Sequence, residues 1–337
     1  MKRIVVIGAS AGGIEALRLL LGQLPGDFGA PIAIVVHTSP HAPAVLDEIL
    51  DRAGTLPASH PRSGARLERG HVYVAPPDYH LVVEPGVVRL TRGPRENRFR
   101  PAVDPLFRTA AQAYGPGAIG VVLTGNLDDG TAGLAAIKQL GGTAVVQDPE
   151  SAAYPSMPRS ALLHVPVDHC LPVERIGELL VGLTSGTEPA RPDTGVPDGI
   201  DVEARIAREE NPLAAGLGRI AAPSMFACPE CHGVLFRLTA SAFTRYRCHT
   251  GHAYSAEALL ASIDEVIEKS LWSTVRALEE GALLAGHMAA HAAGQADGST
   301  ATYLEREATR LNDEMDAVRR LAQTRNAMTA ERRKQGT

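Results

Sequence analysis

The sequence predicts an α/β fold, a doubly wound and mostly parallel sheet with an antiparallel hairpin at one edge. A small cysteine-containing module and a C-terminal helical hairpin follow it. Three observations carry this prediction. Short Val- and Ile-rich runs alternate with amphipathic helical patterns through the first half of the chain. One segment among them alternates polar and apolar residues with period two. After a Pro- and Gly-rich break, paired cysteines appear, and then two long stretches with apolar residues three or four apart.

Taken in order, residues 4–8, 32–37, 118–124 and 143–146 are short and apolar, as fully buried parallel strands are. Helical patterns lie between them at 13–24, 44–51, 105–114 and 131–140. HVYVAPPDYHLVVEPGVVRLTR, residues 71–92, alternates with period two, contains a Pro-Gly turn and reads as the antiparallel hairpin. This first domain spans 1–184. Residues 185–200 are rich in Pro, Gly, Thr and Asp without apolar period, and read as a linker. A cysteine module is expected over 201–256 and a helical hairpin over 257–330. In the hairpin, Ile263, Ile267, Leu271, Val275 and Leu278 form one apolar stripe. Leu304, Ala308, Leu311, Met315 and Val318 form the other. GQADGS at 294–299 supplies the turn, and the stripes suit packing on each other or self-association with a second copy.

Composition narrows the function. A net charge of −5 over 337 residues argues against a nucleic-acid partner or a general membrane-surface binder. No apolar run of about 18 residues exists to span a membrane. The basic, apolar amino terminus passes straight into Gly-Ala-Ser-Ala-Gly-Gly, so it reads as a first strand and not a signal peptide. Four cysteines in so long a chain do not make a disulfide scaffold, and a cytoplasmic, reducing location is expected.

The turn after the first strand admits two chemistries. As a dinucleotide cradle it would need glycine where Ser10 stands, and an acidic residue where the second strand ends in His37. As Gly8-Ala9-Ser10-Ala11-Gly12 it matches the G-x-S-x-G elbow, which projects a serine hydroxyl beside a helix N-terminus. A nucleophilic serine needs a base, and His37 ends a neighbouring parallel strand at the same sheet edge. For the orienting acid, VVLTGNLDDGTAGL (121–134) breaks a third strand with Asp128 and Asp129, and either is a candidate.

These segments together resemble the protein-glutamate methylesterases of the CheB family. The resemblance rests on VVIGASAGG, IVVH (34–37), YVAPPDYHL (73–81), the RPAVDPLF stretch beginning at Arg100, VVLTGNLDDGTAGL and VVQDPESAAYPSMPRSAL (145–162). It covers roughly residues 3–183. It implies a serine hydrolase that removes methyl esters from glutamate side chains of chemoreceptor-like proteins, with glutamine deamidation as a second activity. It further implies Ser10 as nucleophile, His37 as base, Asp129 as acid and the backbone amides of Ala11 and Asn126 as oxyanion donors, with no catalytic cofactor. The only membrane association it implies is through the receptor. Arg98 and Arg100 are candidates for holding an acidic receptor segment. The family often has Thr where Ala11 stands and Met where Asn126 stands. Relatives usually begin with a receiver domain. This chain starts within two residues of the first predicted strand, so control is expected to come from elsewhere, or the enzyme to be constitutive. A catalytically divergent adaptor acting through the C-terminal module, and an esterase with another target, are the competing functions.

The cysteine module stands on its own spacing. Cys228-x₂-Cys231 is followed, after 16 intervening residues, by Cys248-x₃-His252. Two knuckles offering three thiolates and an imidazole suit a closed tetrahedral shell, so a structural Zn²⁺ in a zinc-ribbon-like module is expected. Cys170 lacks such spacing and reads as a buried thiol.

Overall fold

The computed structural model describes residues 3–186, 195–239 and 241–335, with side chains through 325. Its elements are β1 (Ile4–Ala9), α1 (Gly13–Leu21), β2 (Ile32–Val36), α2 (Leu46–Asp51), β3 (Ala58–Ser59), β4 (Ala65–Arg66), β5 (Val72–Val74), β6 (His80–Glu84) and β7 (Val87–Thr91). Then come α3 (Val103–Tyr114), β8 (Ala118–Val122), α4 (Thr131–Gln139), β9 (Thr143–Gln147), α5 (Ser156–His164), β10 (His169–Leu171) and α6 (Val173–Ser185). The chain continues with α7 (Asp198–Ala207), α8 (Pro212–Ala215), α9 (Leu217–Ile220), β11 (Ala221–Ala227), β12 (Val234–Leu238), β13 (Arg245–Cys248), β14 (Ala253–Ser255), α10 (Ala256–Gly294) and α11 (Gly298–Gln335).

Seven strands form the central sheet in the order β10-β9-β8-β1-β2-β5-β3, and every pair is parallel. Alternation along β1 explains the two layers. Val5, Ile7 and Ala9 face α1, α2 and α6 through Leu17, Leu20, Leu50 and Ile176, while Val6 faces α3 and α4 through Leu106, Phe107 and Ile137. Gly8 breaks the alternation for a steric reason. A Cβ there would lie 2.2 Å from Cγ1 of Val103, so glycine lets the first turn of α3 press onto the strand.

One expectation is corrected here. Residues 71–92 do not form a single hairpin at an edge of the main sheet. Val72–Val74 joins that sheet in parallel beside β2, and only β6 and β7 make the hairpin, turning at Gly86 with φ +79°. With β4 they form a separate three-stranded antiparallel sheet. It lies over α3, where Oγ1 of Thr109 accepts from the Val83 amide at 3.0 Å. The period-two pattern gave strands but not their partner, because a strand buried on both faces and a hairpin arm both tolerate alternation.

Two compact units make up the chain, Met1–Leu259 and Leu260–Thr337. The first includes the four-stranded antiparallel sheet β11-β12-β13-β14 that carries the cysteines. Half of the expected linker, 187–194, lies outside the described residues, while its first residue Ser185 ends α6 and its last three, from Asp198, open α7. That helix packs on α3, with the Gln112 amide donating to Asp201 at 2.8 Å. In the second unit, Arg325 pairs with Asp264, and Cδ1 of Leu311 lies 3.3 Å from where Gly281 would carry a Cβ. Among the described residues no helix is long and apolar enough to cross a membrane.

Candidate active site

Strand order reverses around β1, which has β2 on one side and β8 on the other, and the crevice at the carboxyl ends of these strands holds the site. Ser10 leaves β1 with its amide donating to the carbonyl of Thr124, 3.0 Å away at the end of β8. Gly12 then turns the chain at φ +73° into α1. His37 follows β2 and is tied back by its amide to the Ala9 carbonyl at 3.2 Å. Asp129 lies in the loop after β8, just before α4.

The three side chains form one line. Ser10 Oγ lies 3.1 Å from Nδ1 of His37, and Nε2 of His37 lies 2.6 Å from Oδ2 of Asp129. With its proton on Nε2, the imidazole donates to the carboxylate and accepts the serine hydroxyl at Nδ1. Phe99 fixes the ring plane by stacking on it, centroids 3.8 Å apart and 4° from parallel.

Electrostatics separates the two neighbouring aspartates. Burial alone would raise Asp129, but the hydrogen bond and charge of His37 outweigh it, helped by the Val103 amide and Asn97, and hold Asp129 down to about 2. Oδ2 also accepts from the Val103 amide at 2.7 Å, and Oδ1 accepts from Nδ2 of Asn97 at 2.9 Å and from the Gly130 amide at 3.0 Å. Burial instead pushes Asp128 up to about 7, opposed by a 2.8 Å hydrogen bond from Ser255 Oγ. Asp104 is likewise pushed up to about 7, by burial and then by the charge of Asp129.

A cavity of about 420 Å³ opens over Ser10, His37 and Phe99, with Ser39, Arg95 and Arg98 among its walls.

The family model for CheB methylesterase matches residues 5–180. The chain belongs to the CheB methylesterase family. A Leptospira interrogans relative is 43% identical over 180 residues, 53% of this chain and 93% of that protein. A protein-glutamate methylesterase/protein-glutamine glutaminase of Anaeromyxobacter dehalogenans is 44% identical over 181 residues. That match covers 54% of this chain and 53% of the Anaeromyxobacter protein, so this chain spans about half that relative's length. The crystal structure of the Thermotoga maritima CheB methylesterase catalytic domain is matched with a TM-score of 0.52 and 36% identity, over 54% of this chain and 99% of that one.

Against this CheB-family background, the other residues singled out from sequence fall as follows. Among the described residues, no backbone hydrogen bond uses the amides of Ala11 or Asn126. Oγ1 of Thr124 orients the peptide after Ala11 by donating to its carbonyl at 3.0 Å. Asn126 is exposed and follows Gly125, where a Cβ would come within 2.8 Å of Cβ of Ser10. Arg98 lines the cavity at φ +78°. Arg100 lines it too, but its guanidinium is committed to Asp78, with 2.9 Å and 2.6 Å bonds to Oδ1, and to the Gly93 carbonyl at 2.8 Å. It therefore braces the loop, a correction to its reading as a substrate cation. Cys170 is exposed, also against expectation, because His169–Leu171 is the edge strand of the sheet.

The structure gathers Cys228, Cys231, Cys248 and His252 as expected from their spacing, with ligand atoms all within 4.8 Å of one another. Sγ of Cys231 and Cys248 are 3.6 Å apart, and Nδ1 of His252 is 3.7 Å from Cys228 Sγ and 3.5 Å from Cys248 Sγ. Tetrahedral zinc with bonds of about 2.3 Å to sulfur sets ligand separations of roughly 3.8 Å, so the donor set fits. On its far side, Nε2 of His252 lies 3.6 Å from Glu230, the carboxylate partner that ligating histidines commonly have.

Sequence reasoning missed Asn97, Phe99 and Ser255. Asp104 lay inside a quoted motif but was given no role. Nothing local marks Asn97. Its importance arises only when residues more than 30 positions away fold against it.

Proposed function

We propose that this chain is a serine hydrolase that removes methyl esters from glutamate side chains of chemoreceptor-like proteins, as the names of its relatives suggest, and that it can deamidate glutamine at the same site. The carrying observation is the hydrogen-bonded line Ser10–His37–Asp129 at the floor of an open cavity. Nδ1 of His37 takes the hydroxyl proton as Oγ of Ser10 attacks the ester carbonyl. The amides of Ala11 and Asn126 receive the developing oxyanion. The tetrahedral intermediate expels the methoxy group, which leaves as methanol with the proton from His37. Water, giving its proton to His37, then cleaves the glutamyl ester of Ser10 and restores the hydroxyl. Asp129 keeps the imidazole in the tautomer that accepts from serine and stabilises its cationic form.

The sheet β11–β14 with its Cys₃His shell is read as a zinc-ribbon-like module holding a structural Zn²⁺. Its ligands fill a tetrahedral shell and leave no open position for substrate. The ion pair between Arg325 and Asp264 supports reading α10 and α11 as a helical hairpin. Exposed Leu283, Leu284 and Met288 on α10 suit self-association. The enzyme works in the cytoplasm and meets the membrane only through its receptor substrate. Methanol release from methylated receptor membranes tests the reading. Wild type releases methanol and Ser10→Ala does not, and equal release by both refutes the assignment.

A further inference from the structure

The Cys/His cluster and the carboxylate of Asp129 are joined by a short, continuous set of contacts within the first compact unit. His252 is followed directly by β14, whose Ala253 amide donates to the Arg95 carbonyl at 3.2 Å and whose Ala253 carbonyl accepts from the Asn97 amide at 2.8 Å. The Ser255 amide donates to Oδ1 of Asn97 at 3.0 Å. Nδ2 of that same side chain donates to Oδ1 of Asp129 at 2.9 Å and to Asp104 at 3.1 Å. A second tie starts inside the knuckle. Arg247 donates through Nη1 to the Gly251 carbonyl at 2.7 Å and through Nη2 to Glu96 at 2.8 Å.

Asn97 is therefore held on one side by the strand leaving the knuckle, and its other side grips the acid of the triad. It is 5% exposed and sits at φ +48°, a conformation that asparagine tolerates better than most residues. Two residues on, Phe99 stacks on His37. The segment that orients both the acid and the base thus leans on the module.

Within the knuckles the chain is closed by short-range backbone hydrogen bonds, from the Cys228 amide to the Gly233 carbonyl at 2.7 Å and from the Cys248 amide to the His252 carbonyl at 2.9 Å. The hydrophobic cluster of this half consists of Val202, Ile206, Ala215, Leu217, Ile220, Ala221 and Leu238, none of which belongs to residues 228–233 or 248–252. Three thiol groups drawn this close favour either an ion among them or a rearrangement that separates them.

We propose that Asn97 is a positioning residue through which a divalent metal at Cys228, Cys231, Cys248 and His252 keeps the triad in working order, so that the hydrolase is fully active only with the cluster filled. This rests on the reading of Ser10 as nucleophile. Loss of the ion frees the Cys248–His252 turn and β14, and Asn97 then no longer holds Asp129 toward His37.

The test uses the full chain and a fluorophosphonate probe that labels an activated serine, so no receptor substrate is needed. Metal content, melting temperature and labelling rate at Ser10 are measured for zinc-loaded and chelator-stripped protein, with Ser10→Ala as the blank. Stripping should slow labelling by about tenfold or more, and one equivalent of Zn²⁺ should restore it. Asn97→Ala should keep its zinc yet label about tenfold more slowly. Its half-maximal labelling pH should also rise by roughly half a unit to one unit, because the His37–Asp129 pair has lost a donor to its anionic form. Equal labelling with and without metal overturns the coupling alone. So does a zinc-loaded Asn97→Ala with wild-type rate and pH profile. A wild-type, zinc-loaded protein that the probe does not label at Ser10 refutes the hydrolase reading and this proposal with it.

Discussion

Asp129→Asn separates geometry from chemistry because every hydrogen-bond partner of this carboxylate is a donor. His37 Nε2 and the Val103 amide point at Oδ2. Nδ2 of Asn97 and the amides of Gly130 and, at 3.3 Å, Asp104 point at Oδ1. An asparagine must turn its NH₂ toward one of these sets. Facing Oδ1's partners it opposes three donors, and facing Oδ2's it opposes two, of which His37 can adapt by moving its proton to Nδ1. The second orientation is therefore favoured. It places N–H where Ser10 needs an acceptor, and it leaves the Val103 amide unpaired at a cost of about 1–3 kcal/mol of stability. The wrong tautomer and the lost carboxylate charge together should lower kcat by about 10⁴, or roughly 5 kcal/mol in the barrier. The assay is methanol release under saturating receptor, with the fluorophosphonate labelling rate alongside. A variant that keeps kcat within about tenfold of wild type would refute the role given to Asp129.

Asp128→Asn should raise the melting temperature at pH 8 and leave it unchanged at pH 4. The folded pKa of Asp128 is raised to about 7, so wild type keeps its stability below the ordinary carboxylate range and loses it as pH climbs toward 7. The amide stays neutral and still accepts from Ser255; a gain of equal size at both pH values would contradict this. Gly8→Ala should cost about 1–3 kcal/mol in denaturant titration, since its methyl meets Val103 at 2.2 Å. It should also slow catalysis by displacing the Val103 amide from Asp129, and wild-type stability would show that the packing described is wrong. Arg98→Ala should raise KM for an acidic receptor segment by a few fold with kcat unchanged, as expected for a cavity-wall cation that binds ground and transition states alike. A fall in kcat alone would place Arg98 in the chemistry instead.

The parts of the molecule legible in sequence were those whose meaning is local. Residues 4–8 and 118–124 are apolar because both faces of a parallel strand are buried, and the observed strands differ from those ranges by one or two residues. The Ser10 elbow and the Cys/His spacing were legible for the same reason, since a turn geometry and a ligand shell each dictate a short pattern. The short strands at Ala58–Ser59 and His169–Leu171 escaped notice because two or three residues carry no period. The division of 72–91 between two sheets escaped because alternation does not name its partner. Asn97, Phe99 and Ser255 are ordinary loop and strand residues until the fold brings them to His37 and the aspartates. The distinction between Asp128 and Asp129, left open by the residues alone, is one of hydrogen-bond partners, which no one-dimensional pattern encodes.

The joint between the central sheet and the half that carries the cysteines has an ionic part beside the apolar contact of Ile200. Arg108 pairs with Glu96, Arg247 bridges Glu96 and Glu203 at 2.8 Å and 2.7 Å, and Arg245 forks onto Glu203 with two bonds of 2.8 Å, all buried. Three of the five residues come from the later half of the chain. While the earlier half waits for them during synthesis, it shows water a carboxylate and a guanidinium at this place. Charges that cost several kcal/mol each to bury alone are dehydrated only together, when both halves close. A seam of this kind keeps a half-made molecule dispersed, and it gives the closing step a selectivity for the right partner surface that oil-like contact would not supply.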